Sequence, residues 1–193
     1  MIITISGTAG SGKSTIAKII AERLHLKHYS TGDFMRQIAK ERNLSLEDIN
    51  RIAEGDRSID TTLDKWQIEL GKNEDEFIID GRISFHFIPR SIKIFLDADI
   101  KIRAERIWKD IKIRGLRKEE RADNLREIIE EVRKREASEV KRYEKYYQIN
   151  PYEHQHYDFV VDTSKSDAQE AADDIIIFVQ KIYKEAPSQE KHE

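Results

Sequence analysis

The sequence contains no cysteine. That removes disulfides, thiolate zinc sites and cysteine nucleophiles from consideration. Its longest apolar stretches fall far short of a membrane span, and it opens on a strand-like segment without a basic leader or cleavage site. A global excess of positive charge is also missing, since 34 Lys and Arg against 37 Asp and Glu leave a formal charge of −3. No overall field therefore favours nucleic acid, and any positive surface must be local. Internal repeats and low-complexity stretches are absent. The expectation is a soluble, cytoplasmic protein with no nucleic-acid or membrane partner.

What is present suffices for one packed domain. Of the 193 residues 38% are hydrophobic and 37% charged, and the apolar ones come in short blocks such as Ile2 to Ile5 and Phe77 to Ile79. A chain of this kind folds, and its length leaves room for a small lid but not for a second full domain. Hydrophobic spacing predicts strands over 2–6, 27–30, 76–80, 92–96 and 158–161. It predicts helices over 12–24, 33–42, 100–111, 124–147 and 167–183, and two more between 44 and 70, split near Gly55 and Asp56. Ser58 or Asp60 is the expected N-cap of the second of those two. Arg114-Gly115-Leu116-Arg117 interrupts the helical pattern, and the tail over 186–193 is expected to be flexible. Five strands alternating with helices predict a three-layer α/β/α sandwich with a mainly parallel sheet.

The segment Gly7-Thr8-Ala9-Gly10-Ser11-Gly12-Lys13-Ser14 matches GxxxxGK[ST], directly after a strand and directly before a helix. Its glycines let successive backbone N–H groups turn toward one anion, and the following helix adds its positive end. Lys13 can reach the β and γ phosphates of ATP, and Ser14, followed by Thr15, can ligate Mg²⁺ through its hydroxyl. The alternative is a glycine-rich turn that merely caps a helix. A guanine-reading Asn-Lys-x-Asp segment is absent, and a motor-type ATPase needs a longer chain. Those absences and the size point to a small kinase of the P-loop NTPase fold.

Three further segments carry a family resemblance. His28-Tyr29-Ser30-Thr31-Gly32-Asp33-Phe34-Met35-Arg36 looks like the S-T-G-D-x-x-R segment of nucleoside monophosphate kinases. Phe77-Ile78-Ile79-Asp80-Gly81-Arg82 resembles the strand-ending D-G-R of cytidylate kinases, whereas the adenylate kinase counterpart D-G-F-P-R is lacking. Arg135, Glu139 and Arg142 have the spacing of the cytidylate kinase lid segment. Together with the P-loop, the four segments are similar to the short, archaeal-type cytidylate kinases over essentially 1–183. The resemblance implies ATP-dependent, Mg²⁺-assisted phosphoryl transfer to CMP or dCMP. It implies a monomer that binds only small nucleotides, built as one domain over 1–193 with an acceptor-binding insertion over about 31–72 and a lid over about 111–123. The rivals are a kinase for AMP or UMP and, in another class, a P-loop ATPase acting as a regulator or nucleic-acid binder.

Each residue has its own physical reading beside the resemblance. Phosphoryl transfer between two nucleotides gathers several negative charges, so cations must close around them. The resemblance gives Arg36 the acceptor α-phosphate, with Thr31 nearby on the nucleotide. Asp80 ends a buried strand beside the P-loop strand, where its carboxylate can hold Mg²⁺ through water. Asp33 resembles an adenylate kinase acid with the same role, and otherwise reads as a helix N-terminal charge. Arg82 follows Asp80 at the sheet edge where ligands sit in open α/β folds. Arg135, Glu139 and Arg142 fall at i, i+4 and i+7, which alone reads as a surface ion-pair ladder. With the resemblance, the two arginines clamp transferring and acceptor phosphates and Glu139, where the family commonly has Asp, takes a sugar hydroxyl. Arg114 and Arg117 occupy the lid position as candidates for ATP, and one of the helical pair Arg103 and Arg106 is a candidate to stack on adenine, with Arg106 counted among the ATP-binding residues. The bacterial family follows D-G-R with an Asp that meets the base; here that position is Ile83. Base reading then falls to Ser84, Asp60, Asp64 or Gln67.

Overall fold

The computed structural model describes residues 1–45, 48, 49, 52, 53, 56–114 and 125–185. Strand β1 (Ile2–Gly7) leads into helix α1 (Lys13–Leu24), β2 (Lys27–Ser30) and α2 (Thr31–Glu41). After the acceptor-side segment come α3 (Ser58–Asn73), β3 (Phe77–Asp80), the short α4 (Ser84–Phe87) and β4 (Ile92–Asp97). Helices α5 (Ile100–Arg114) and α6 (Leu125–Tyr147) follow, then a 3₁₀ turn (His154–His156), β5 (Phe159–Asp162) and α7 (Ala168–Glu185). Strand order is β2-β3-β1-β4-β5, and every pairing is parallel. The expected three-layer α/β/α architecture is therefore present, with a sheet parallel throughout.

Both faces of the sheet are covered, which is why its central strands are near-continuous in apolar residues. Ile3 and Ile5 of β1 and Ile78 of β3 point to one side, against Ile16 and Ile20 of α1 and Ile175 and Val179 of α7. Ile2, Phe77 and Ile79 point to the other, against Leu70 and Ile88 with Tyr29 and Trp66. This alternation is the period-two consequence of the pleat. Thr4 shares the second face and bonds to Ser91 at 2.9 Å, so its hydroxyl is satisfied inside the core.

The element boundaries differ from expectation where caps decide them. Helix α2 starts at Thr31, two residues early, because Ser30 takes an extended conformation and its Oγ accepts from the Asp33 N–H. Strand β3 starts at Phe77 because Glu76 has φ +58, outside the strand region. The N-cap of α3 is Arg57, not Ser58 or Asp60; its first turn is tied down by the Asp56 carboxylate accepting from the Ser58 N–H at 2.8 Å. Asp60 is left free to face inward, and it is buried. Helix α4 and the 3₁₀ turn were not legible from periodicity, being too short to show one. Gly115, Leu116, Arg117, most of the expected lid and the tail over 186–193 lie outside the described residues, as does the side chain of Arg114.

The topology decides where a ligand goes. Strand order reverses about β1, since β3 lies on one side and β4 on the other. Ligands of open α/β sheets bind at the carboxyl ends of strands flanking such a switch. Gly7 and Asp80 both sit at that edge.

Candidate active site

A cleft of about 1120 Å³ opens there, running from the P-loop past Asp80 and Arg82 to α3 and α6. At one end the loop from Ala9 to Thr15 lines it. Gly10 has φ +81, and a Cβ there would meet the Arg103 carbonyl at 2.8 Å, so only glycine fits. Lys13 folds back over the loop, its Nζ donating to the carbonyls of Gly7 (3.0 Å) and Thr8 (2.7 Å). Burial, with the charges of Arg82 and Arg135, pushes its pKa well below the ordinary lysine value, against Glu139 and Asp80.

Asp80 stands at the centre. Its Oδ2 accepts from Ser14 Oγ at 2.7 Å and Ser30 Oγ at 3.3 Å, and its Oδ1 is 2.8 Å from His28 Nε2. Burial alone raises such a carboxyl, but the hydrogen bonds from His28 and Ser14 outweigh it and hold Asp80 below the usual range. Asp80 is thus an ionised, oriented oxygen donor beside the Ser14 hydroxyl. Oxygens of that kind fit Mg²⁺, which keeps several waters and takes few protein ligands. No group of three or more His, Cys, Asp or Glu side chains that could hold a metal occurs among the described residues. Asp33 also lines the cleft, but its carboxylate is paired with Arg36.

Beyond Asp80 the cations gather. Arg82 donates from Nε to Glu139 at 2.7 Å and from Nη1 to the Gly7 carbonyl at 3.0 Å. Glu139 also accepts from Arg135 Nε at 3.0 Å and Tyr152 Oη at 2.6 Å. Burial opposes ionisation of Glu139, yet the two arginines and the tyrosine hold its pKa down to about 2. Glu139 is 8% exposed and the Arg142 side chain 13%, so these two turn inward, while Arg135, 52% exposed, stands at the rim of the cleft. Arg36 and Thr31 line the same cleft, Thr31 donating to the Asp80 carbonyl at 3.3 Å. Gly81 lets this corner close, because a Cβ would collide with Ser84 Oγ and Thr31. Arg142 lines the cleft as well, its guanidinium against Asp60 and donating to Tyr143 Oη at 3.2 Å.

Several contributors were invisible in the sequence. His28 and Tyr152 are isolated residues that pairing and chain reversal bring to Asp80 and Glu139. Arg106, one of the two adenine candidates, is held by Thr163 through Oγ1 (2.9 Å) and the carbonyl (2.6 Å), and Thr163 in turn bonds the Ser11 carbonyl. Arg103 instead clamps the P-loop from behind, bonding Ala98, Ala9 and Glu136. Nothing but tertiary contact distinguishes these two arginines three residues apart.

The parallel sheet, the switch point and the loop around Lys13 define a P-loop protein of the α/β class. A profile of the cytidylate kinase-like family matches residues 2–165. The chain belongs to that family. It is 37% identical over 169 residues to the cytidylate kinase of Methanothermobacter thermautotrophicus, spanning 88% of this chain and 99% of that one. It is 34% identical over 185 residues to the cytidylate kinase of Archaeoglobus fulgidus, covering 94% and 97% of the two chains. Among solved structures, an uncharacterised protein from Eubacterium ventriosum superposes with a TM-score of 0.66 at 21% identity, over 93% of this chain and 98% of that one. Shikimate kinase from Acinetobacter baumannii in complex with shikimate gives 0.57 at 16% identity, over 94% and 93%. These last two speak for the fold alone.

Proposed function

We propose that this protein is an ATP-dependent nucleoside monophosphate kinase that transfers the γ-phosphoryl group to CMP or dCMP, giving ADP and the diphosphate. The observation that carries this reading is a single cleft with a P-loop at one end and Arg36, Arg82, Arg135 and Arg142 lining the other, in a chain of the cytidylate kinase-like family. A hydrolysing ATPase has no need of the second half. Arg36, Arg82 and Arg135 are the groups for an anionic acceptor.

The chemistry needs position and charge rather than a covalent intermediate. The backbone from Ala9 to Ser14 and the start of α1 hold the donor phosphates. Lys13 exchanges its two carbonyl bonds for phosphate oxygens and follows charge as it moves toward the leaving group. Ser14 and, through water, Asp80 are the residues that would hold Mg²⁺, which supplies charge neutralisation at the phosphates when bound. Arg82 and Arg135 are tied to Glu139 and so point into the cleft before substrate arrives. Arg106, fixed by Thr163, borders the donor side.

A coupled assay of ADP release against a panel of nucleoside monophosphates tests the reading. CMP and dCMP are expected to exceed AMP and GMP in kcat/KM by at least about tenfold, with UMP second. Comparable kcat/KM for AMP overturns the cytidylate assignment, and ADP release without any acceptor overturns the kinase.

A further inference from the structure

The acceptor half of the cleft contains two buried polar atoms with nothing to bond. Oδ2 of Asp60 and Nε of Arg142 have no hydrogen-bond partner among the described residues. Their side chains are only 6% and 13% exposed, and the two atoms face each other at 3.9 Å, too far for a hydrogen bond. Buried polar groups are normally bonded, and unbonded ones beside a ligand cleft call for a ligand's own polar atoms.

The other polar groups on this wall are already engaged. Ser84 Oγ donates to Gln67 Oε1 at 2.7 Å, and Gln67 Nε2 donates to the Leu63 carbonyl at 3.4 Å. Asp64 accepts from Tyr147 Oη at 2.7 Å. Of the four candidate base readers, Asp60 is therefore the one with a buried oxygen lacking a partner. Glu139 is joined to the Gly7 carbonyl of the cradle through Arg82, whereas the ion-pair contact of Asp60 is with Arg142, which reaches no P-loop carbonyl among the described hydrogen bonds. The sugar separates base from phosphate in any nucleotide, so the acid further from the cradle is the one that meets the base.

An acceptor oxygen beside an N–H donor is complementary to a planar edge with a donor next to an acceptor. Cytosine has that edge, its exocyclic amino group donating and the adjacent ring N3 accepting. Uracil reverses both, placing a carbonyl against Asp60 and an N–H against Arg142. We propose that Asp60 and Arg142 together read the acceptor base, Asp60 Oδ2 accepting from the cytosine amino group and Arg142 Nε–H donating to N3. This rests on the cytidylate kinase reading above and names the residues behind its specificity. The phosphates are then left to Lys13, Arg36, Arg82 and Arg135.

The test compares kcat/KM for CMP, dCMP and UMP in the full-length wild type and in Asp60→Asn, with thermal melting to verify folding. The amide keeps the shape of the acid but can present N–H₂ to the uracil carbonyl. The expected result is a fall of about tenfold or more in the CMP-to-UMP ratio, chiefly through loss with CMP because the Arg142 N–H still opposes uracil N3–H, while the CMP-to-dCMP ratio holds. Should Asp60→Asn fail to fold, Asp60→Ala carries the same expectation for loss of CMP preference, read by equilibrium binding of CMP and UMP. An unchanged CMP-to-UMP ratio in a folded variant overturns the proposal. So does a shift confined to the CMP-to-dCMP ratio, which would put Asp60 on the sugar. A wild type that does not prefer CMP brings down the functional reading itself, and is seen before any variant is made.

Discussion

Asp80 accepts hydrogen bonds on both carboxylate oxygens, and Glu139 accepts three from Arg82, Arg135 and Tyr152. Such saturation keeps a buried acid ionised and still, so each orients its neighbours instead of drifting. Lys13 differs, because its partners are backbone carbonyls that a phosphate can replace. Lys13→Ala should accordingly lower turnover by about a hundredfold or more while the melting temperature stays close to wild type. Steady-state kinetics beside a thermal melt check this, and an unchanged turnover number would remove the P-loop from the catalytic assignment. The acids also set the pH response. Glu139 is ionised when folded down to about pH 2, against an ordinary value of 4.5. Its stabilisation is therefore complete above about 4.5 and disappears as pH falls through about 2. Asp64 runs the other way: burial, with repulsion from Asp60, raises it from 3.8 to about 6. Its contribution is full below 3.8 and lost as pH rises through about 6, where a buried charge must be carried. Asp64→Asn should then melt higher than wild type at neutral pH, and the advantage should vanish in melts near pH 4. Parallel melting of the two proteins at every pH would contradict the raised value.

At the scale of elements, α6 does two jobs with two faces. Ile128 and Val132 pack with Ala104 and Ala9 behind the P-loop, while Arg135, Glu139 and Arg142 line the cleft. One rigid helix thus couples the donor cradle to the acceptor wall, and Arg103 bonding Glu136 and Ala9 reinforces the link. Occupation of both ends should order this helix further. Hydrogen exchange across Leu125–Tyr147 is expected to slow with a bisubstrate analogue of two nucleotides joined by phosphates, and to slow less with ATP alone. Equal protection in the free and doubly occupied protein would make α6 a static scaffold. On the opposite wall α3 presents Asp60, Asp64 and Gln67 at helical spacing, and that spacing was legible beforehand. Which of the three carries an unbonded oxygen was not, since Ser84 on the short α4 and Tyr147 on α6 decide it from far away in the chain.

Over the whole molecule, the order of strands and helices, the parallel class of the sheet and the phosphate loop followed from local pattern. Strands of four to six residues built on short apolar runs, a GxxxxGKS turn between strand and helix, and apolar spacing near 3.6 are properties of neighbouring residues, so the chain carries them openly. The motif residues Thr31, Arg36, Asp80, Arg82, Arg135 and Glu139 could be named from the sequence for the same reason, through resemblance to a family whose motifs are themselves local. Only the folded chain decided that Glu139 and Arg142 are largely buried at the cleft while Arg135 stays half exposed at its rim, since a charged i, i+4, i+7 face looks identical in either setting. It alone separated Arg103, buried behind the P-loop, from Arg106 beside Thr163, and it alone brought His28 to Asp80 and Tyr152 to Glu139. The physical reason is that burial and hydrogen-bond satisfaction belong to contacts between distant segments. Whether Asp64 on α3 has a partner depends on Tyr147, 83 positions further along the chain, and no local pattern encodes that.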